Sequence, residues 1–522
     1  MSKNLERIGL VAGSTVVSRI LGLIRDILTT AVFGVSALNS AFVTAFTFPN
    51  LFRRLLGEGA LTAAVIPTVS DELDSSGKEG AFSLLNKVFS WLLLVTVVLV
   101  FLAMLAIWGV KAYPGLEHRW YLGAELTQIL FPYVVFICLA AAFAAVLNVL
   151  SCFVIPALSA VWLNSSIILF LGGFGLWLGE SAHEKMYWLC AGVLVGGFFQ
   201  CMVPALALYK RGWRVRFDLK PSDRLKEIGR LMLPGLFGAA IFQINILTSR
   251  ALAFALDEAS ATLLYLANRL IEMPLGIFAI AISTVVFPLL TKQAGKKDFK
   301  GMGVSYRKGL SLILIISIPA ALGLIILGEP IVRLLFERGA FSSGNTTQVV
   351  PVLTIFALGM PFYAFAVLVT KGFYSLKDTA TPARVAGVGF ILNLTLSLIL
   401  MSLYGTVGLA AASNLSIVFQ LVLLQSLLSR REPNLEVVSL WGQVVRIAVA
   451  TLVMSLFIWS GREFVLSQDW SGLISSWVSV GCLIPLGLLI YVAVLWGLKI
   501  EGRDVALETM RRFFRSRFKG KK

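Results

Sequence analysis

Apolar runs of about 20 residues, the length a helix needs to cross about 30 Å of hydrocarbon, follow one another along almost the entire 522-residue chain. A water-soluble fold could not hide that much apolar surface, since 58% of the residues are hydrophobic and only 14% charged. In hydrocarbon, only helices and closed barrels satisfy their own backbone groups. Runs of this length specify helices, so the chain is expected to be an all-α polytopic membrane protein with about fourteen transmembrane helices.

Charge inside those runs is the next constraint. Arg19, Arg25, Arg53, Arg54, Arg230, Arg250 and Arg269 all fall within expected spans, whereas only Asp26, Glu58 and Glu272 lie at comparable depth. A charge at the bilayer centre costs about 2.5–3.5 kcal/mol on insertion scales, so such side chains face water or a partner. The interior they line is net positive, and its natural guest is an anion.

The formal charge of +17 is explained by topology rather than by nucleic acid. With the N-terminus in the cytoplasm, most Lys and Arg fall on the cytoplasmic side, above all in the loop 210–226 and the tail 499–522, and the positive-inside rule places both termini there. The basic tail reads as a solvated, headgroup-attracted end. The first span carries Arg19 and Arg25 and lacks a small-residue cleavage site, so it reads as a retained span and not a signal peptide.

Catalytic chemistry finds no foothold. Cys138, Cys152, Cys190, Cys201 and Cys482 lack metal-ligand spacing, and His118 and His183 lie in external loops. No nucleophile–base set or P-loop can be assembled, so no enzyme activity, cofactor or metal is expected.

The chain also repeats itself. Val65-Ile66-Pro67 is echoed by Val286-Phe287-Pro288, and the junction at Pro156 followed by Leu163-Asn164 by the one at Pro382 followed by Leu392-Asn393, at nearly the same offset. This suggests two six-helix lobes of one orientation, 1–209 and 228–429, joined by a basic linker 210–227. Residues 430–498 hold two extra helices and 499–522 form the tail. Duplicated halves leave a central cavity with the substrate site near midplane. Pro49 and Pro274 interrupt spans two and eight beside the charges, where freed backbone must face protein or water.

Candidate binding residues follow from these placements. Arg19 and Arg25 are six residues apart and not on one clean stripe of the first span, but both can reach one broad aqueous face. Arg53 and Arg54 diverge by about 100°, so one is expected to face the cavity while the other pairs with Glu58. The planar guanidinium grips diphosphate or carboxylate oxygens bidentately, which suits Arg19, Arg25, Arg53 and Arg269 to a diphosphate group. Arg230 and Arg250, near span ends, read as snorkelling or locally paired side chains. Asp26, Asn50, Arg54, Glu58 and Glu272 stand close to these arginines in the sequence as candidate supports.

At this point the motifs carry a resemblance. Ser18-Arg19-Ile20-Leu21-Gly22, Arg25-Asp26, Pro49-Asn50-Leu51-Phe52-Arg53-Arg54, Gly57-Glu58-Gly59-Ala60, Arg269-Leu270-Ile271-Glu272-Met273-Pro274 and Gly372-Phe373-Tyr374-Ser375 resemble the MurJ (MviN) lipid II flippases of the multidrug/oligosaccharidyl-lipid/polysaccharide exporter superfamily. The resemblance implies transport of lipid II, the undecaprenyl-diphosphate-linked peptidoglycan precursor, from the inner to the outer leaflet of the bacterial cytoplasmic membrane. It further implies that Arg19, Arg25, Arg53 and Arg269 engage the headgroup, that Asp26 poises Arg25 and Arg269, and that the last two spans form a groove for the polyprenyl tail. Partners implied are lipid II, membrane lipids and the cell-wall elongation or division machinery. Two positions depart from the pattern: Asn39-Ser40 stands where many members carry an acid, and Asn268 where some do. Asp378, before Thr381-Pro382, reads as a helix-start cap and not a cation ligand. The alternatives are a flippase for another polyprenyl-diphosphate glycan, such as O-antigen or capsule units, and a cation-coupled drug exporter, which would want buried acids instead.

Overall fold

The computed structural model describes residues 2–55, 61–468 and 470–498. Every regular element among them is helical. In chain order the first are α1 (Ser2–Phe33), α2 (Ala37–Phe52), α3 (Leu61–Lys111), α4 (His118–Leu130), α5 (Tyr133–Val149), α6 (Val154–Ala157), α7 (Ser159–Leu169), α8 (Leu176–Leu178) and α9 (Ala182–Tyr209). There follow α10 (Asp223–Leu256), α11 (Ser260–Pro274), α12 (Ile280–Gly295), α13 (Phe299–Phe336), α14 (Ser343–Ser375) and α15 (Ala380–Arg431). The last are α16 (Trp441–Leu466), α17 (Gly472–Val478) and α18 (Ile484–Gly497). Glu58 and the basic tail 499–522 lie outside the described residues.

Eight runs among the described residues are long and apolar enough to cross a membrane, and a ninth forms if α4 and α5, bent by 41° at their junction, count as one. Two of the runs are longer than any bilayer requires. Gly77 (φ 67°) divides α3 and Gly405 (φ 59°) divides α15, each in a backbone conformation that favours glycine. The arginines expected at membrane depth lie on α1, α10 and α11 and directly after α2.

The chain forms two compact units. The first comprises Met1–Thr262 with Arg338–Ser342, and the second Leu263–Glu337 with Ser343–Lys522. In the first unit, Leu61, Val65, Leu85, Phe143, Leu147 and Trp213 anchor a core between α3, α5 and the segment after α9. The short stretch Arg338–Ser342 joins this unit through the backbone. The Ala340 amide donates to the Ala31 carbonyl at 2.7 Å, at the end of α1. Gly339 (φ 59°) permits that approach, since a β-carbon there would lie 2.2 Å from the Ala31 oxygen.

In the second unit, Leu290, Tyr306, Leu310, Leu368 and Phe373 hold α12, α13 and α14 together, with Leu424 and Leu428 of α15. A separate cluster of Leu327, Ala450, Met454, Ile458, Leu483 and Tyr491 seats α16 and α18 on α13. Ions reinforce it: Glu329 accepts from Arg333 at 2.9 Å and from Arg462 at 2.7 Å, linking α13 to α16. Asp378 accepts from the Thr381 amide at 2.9 Å and its hydroxyl at 2.7 Å and pairs with Arg431. It caps the start of α15, as expected.

Candidate functional site

Within the first unit, α1 and α2 bring cations to one buried polar region. Arg25 directs Nη2 (2.7 Å) and Nε (3.1 Å) at Oδ1 of Asp26. The Asp26 carboxylate is almost wholly buried, at 3% side-chain exposure against 15% for Arg25. A carboxylate so placed needs a cation and hydrogen bonds to offset its desolvation. The pair fixes the orientation of the Arg25 fork. Nearly two turns earlier, the α1 backbone is tied to its neighbours where Asn164 of α7 donates to the Ser18 carbonyl at 3.3 Å.

Arg53 stands at the end of α2, four residues after the buried Pro49, where the helix widens into a π-type turn over Arg53–Leu55. Its Nε donates to Oδ1 of Asn50 at 2.7 Å. The Tyr133 hydroxyl of α5 feels the charge of both Arg53 and Arg25. Tyr133 donates to Gln200 of α9 at 2.8 Å, and the Gln200 amide donates to the carbonyl and hydroxyl of Ser159, both at 3.0 Å. Phe46 lies against Tyr133 with ring centroids 6.0 Å apart. Arg19 and Arg54 occupy half-buried positions on the same two elements.

Sequence reasoning missed Tyr133, Gln200 and Ser159. Gln200 was the available signal, as an amide in the middle of an apolar run. It was passed over because a neutral amide disturbs hydropathy far less than a charge does.

Arg269 belongs to the second unit, on α11, half-buried at 27% side-chain exposure. Its Nη1 lies 3.9 Å from Oε2 of Glu272, whose Oε1 accepts from Asn268 Nδ2 at 3.1 Å. Pro274 ends α11, and a π-type turn, Leu275–Ala279, leads into α12. Each interrupting proline is thus followed by widened backbone beside an arginine, a geometry that recurs at functional positions in helices.

The remaining arginines at membrane depth have local roles. Arg250 Nη1 donates to the Ala261 carbonyl at 3.1 Å and Arg230 is exposed. At the start of α2, Asn39 donates to the Gly34 carbonyl at 2.7 Å. Next to it, the Ser40 and Thr262 hydroxyls lie 2.9 Å apart and are wholly buried. Among the described residues no group of His, Cys, Asp and Glu could hold a metal ion.

Comparison with known proteins bears on what this arrangement does. The profile of the family described as lipid II flippase MurJ matches residues 29–480. A Rhizobium tropici protein named "Probable lipid II flippase MurJ" is 31% identical over 513 residues, covering 95% of this chain and 94% of its own length. A Vibrio cholerae protein of the same name is 30% identical over 525 residues, at 98% and 99% coverage. The solved structure "Lipid II flippase MurJ, inward closed conformation" matches with a TM-score of 0.77 and 25% identity, covering 95% of this chain and 99% of that one. An inward-facing MATE-family multidrug transporter of the MOP superfamily shares the fold, at TM-score 0.66 and 16% identity, over 80% of this chain and 95% of its own.

Proposed function

The chain belongs to the MurJ family of lipid II flippases, and from that premise we propose that it moves lipid II from the inner to the outer leaflet of the bacterial inner membrane, both its termini facing the cytoplasm. The observation that carries this reading furthest is Arg25, held in orientation by the almost wholly buried Asp26.

A diphosphate with sugars and a peptide cannot cross about 30 Å of hydrocarbon unaided. A hydrated cationic surface substitutes for its water shell while the polyprenyl tail stays in lipid along the last two helices. Arg25 and Arg53 receive phosphate oxygens as bidentate donors, Arg19 and Arg269 widen the cationic surface, and Asn50 and Asp26 hold the forks in position. Asn268 and Glu272 act as a local pair beside Arg269, so an acid one turn along serves where some relatives carry one at the asparagine position. Ser40 replaces an acid by a neutral hydroxyl pair and leaves the cavity more cationic. Access alternates between the two sides of the membrane. The chain acts by binding and movement and makes no covalent change to its cargo.

Binding separates lipid II from other diphosphate-linked glycans. Purified protein is incubated with equal amounts of lipid II and an undecaprenyl-diphosphate glycan lacking the peptide, and the bound lipid is identified by mass. Preferential capture of lipid II supports the reading. Equal capture, or capture of the peptide-free glycan, would favour the O-antigen or capsule alternative.

A further inference from the structure

The basic segment between α9 and α10 is not a loose solvated loop. Trp213 is buried at 1% exposure and donates from Nε1 to Asn86 Oδ1 of α3 at 2.9 Å. Asn86 also accepts from the Arg216 amide at 3.2 Å and donates to the Arg214 carbonyl at 3.0 Å. Lys87 reaches the Asp218 carboxylate at 2.6 Å, and the Asp218 amide donates to the Ser90 hydroxyl at 2.9 Å. The segment is therefore pinned along one turn of α3, immediately before that helix becomes uniformly apolar.

What it displays from that height is unusual for a solvated strip. From Trp213 to Lys220 apolar and polar residues alternate, the pattern of an extended segment with one apolar and one polar side. Val215, Phe217 and Leu219 are 52%, 74% and 48% exposed. Phe217 leans on Phe89 of α3 with centroids 5.7 Å apart. Arg214, Arg216 and Lys220 are exposed between them, and the Arg214 guanidinium lies 4.0 Å over the Tyr209 ring. Exposed apolar side chains interleaved with cations suit the boundary between acyl chains and anionic headgroups, and water suits them poorly.

We propose that residues 213–220 form a built-in docking strip for the anionic phospholipid surface of the inner leaflet, Phe217 and its apolar neighbours entering the acyl boundary and Arg214, Arg216 and Lys220 taking headgroup phosphates. The sidedness rests on the orientation given above; the lipid contact itself does not depend on which cargo the chain moves.

The test uses the full chain, with its native cysteines replaced and a depth-sensitive fluorophore on Phe217→Cys, in vesicles of phosphatidylcholine alone or of phosphatidylcholine with phosphatidylglycerol. The fluorophore is expected to be quenched by lipid-borne nitroxides at the headgroup boundary, and more strongly with phosphatidylglycerol. Replacing Arg214, Arg216 and Lys220 by Gln should remove that extra quenching, each cation accounting for up to about fivefold in local anionic-lipid enrichment. Quenching by an aqueous agent equally in both vesicles would overturn the proposal, as would a charge variant that keeps the full dependence on phosphatidylglycerol. The readout needs no lipid II, so failure here and failure of the transport reading are distinguishable.

Discussion

At the scale of single residues, the arginines were legible because a charge within an apolar run is conspicuous in any sequence, whereas their supports were not. Asp26 holding Arg25 could be read from adjacency, but the Tyr133–Gln200–Ser159 chain joins three helices, and the Ser40–Thr262 pair spans 222 residues. Neutral groups leave no trace in hydropathy, and their pairing exists only once the helices pack. Arg25→Lys retains the charge but loses the fork, so transport should fall about tenfold with expression and melting temperature unchanged. Gly339→Ala must adopt a positive φ and place a β-carbon 2.2 Å from the Ala31 carbonyl oxygen. It should cost at least about 1–2 kcal/mol, seen as a lowered melting temperature in detergent. Asp378 gives a pH test. Burial pushes its carboxyl up, but the Thr381 amide and hydroxyl and the Arg431 guanidinium outweigh this and hold it below the usual carboxylate range. A carboxylate held below its unfolded value stabilises fully above that value, and the contribution fades as pH falls through the folded one. Asp378→Asn keeps an acceptor for the cap but loses the charge paired with Arg431, so it should cost up to about 1 kcal/mol at neutral pH, and its deficit against wild type should shrink as the pH drops below about 4.

At the scale of elements, hydropathy located the helices but not their interruptions. Glycine and proline mark possible breaks, yet only packing decides that Pro49 and Pro274 lead into widened turns while Pro204 lies within the unbroken helix α9. The turn after Pro274 borders a small apolar cleft lined by Leu275, Phe278, Ala279, Ile313, Ser317 and Met360 among others. Ala364 lines the same cleft and is buried at 1% exposure. Ala364→Leu should therefore overpack it and cost about 1–3 kcal/mol, seen as a lowered melting temperature. An unchanged melting temperature would mean that the neighbours give way to the larger side chain. The α9–α10 segment was legible as basic but not as ordered. Asn86 alone satisfies Trp213 and two backbone groups of that segment. Asn86→Leu should cost at least about 2 kcal/mol and expose the segment between α9 and α10 to protease.

At the scale of the whole molecule, a succession of apolar runs was enough to specify a polytopic helical bundle, and the positive surplus at membrane depth to specify an anionic guest. The division into compact units was harder to read, because Arg338–Ser342 joins the first unit from far along the chain, through contacts that exist only once the chain has folded. An inside-negative potential is worth about 2.3 kcal/mol per charge per 100 mV, so outward passage of an anionic headgroup is favoured energetically wherever net charge moves with it. The most direct measurement is the amount of outer-leaflet lipid II in a bacterium depleted of its own lipid II flippase and supplied with this chain or with Arg25→Ala at equal membrane abundance. Restored externalisation by the wild-type chain, with loss of at least about tenfold in the variant, is the expected result. Lipid II left on the inner side by well-inserted wild-type protein would contradict the assignment of cargo, and a fully active Arg25→Ala would contradict the cationic site.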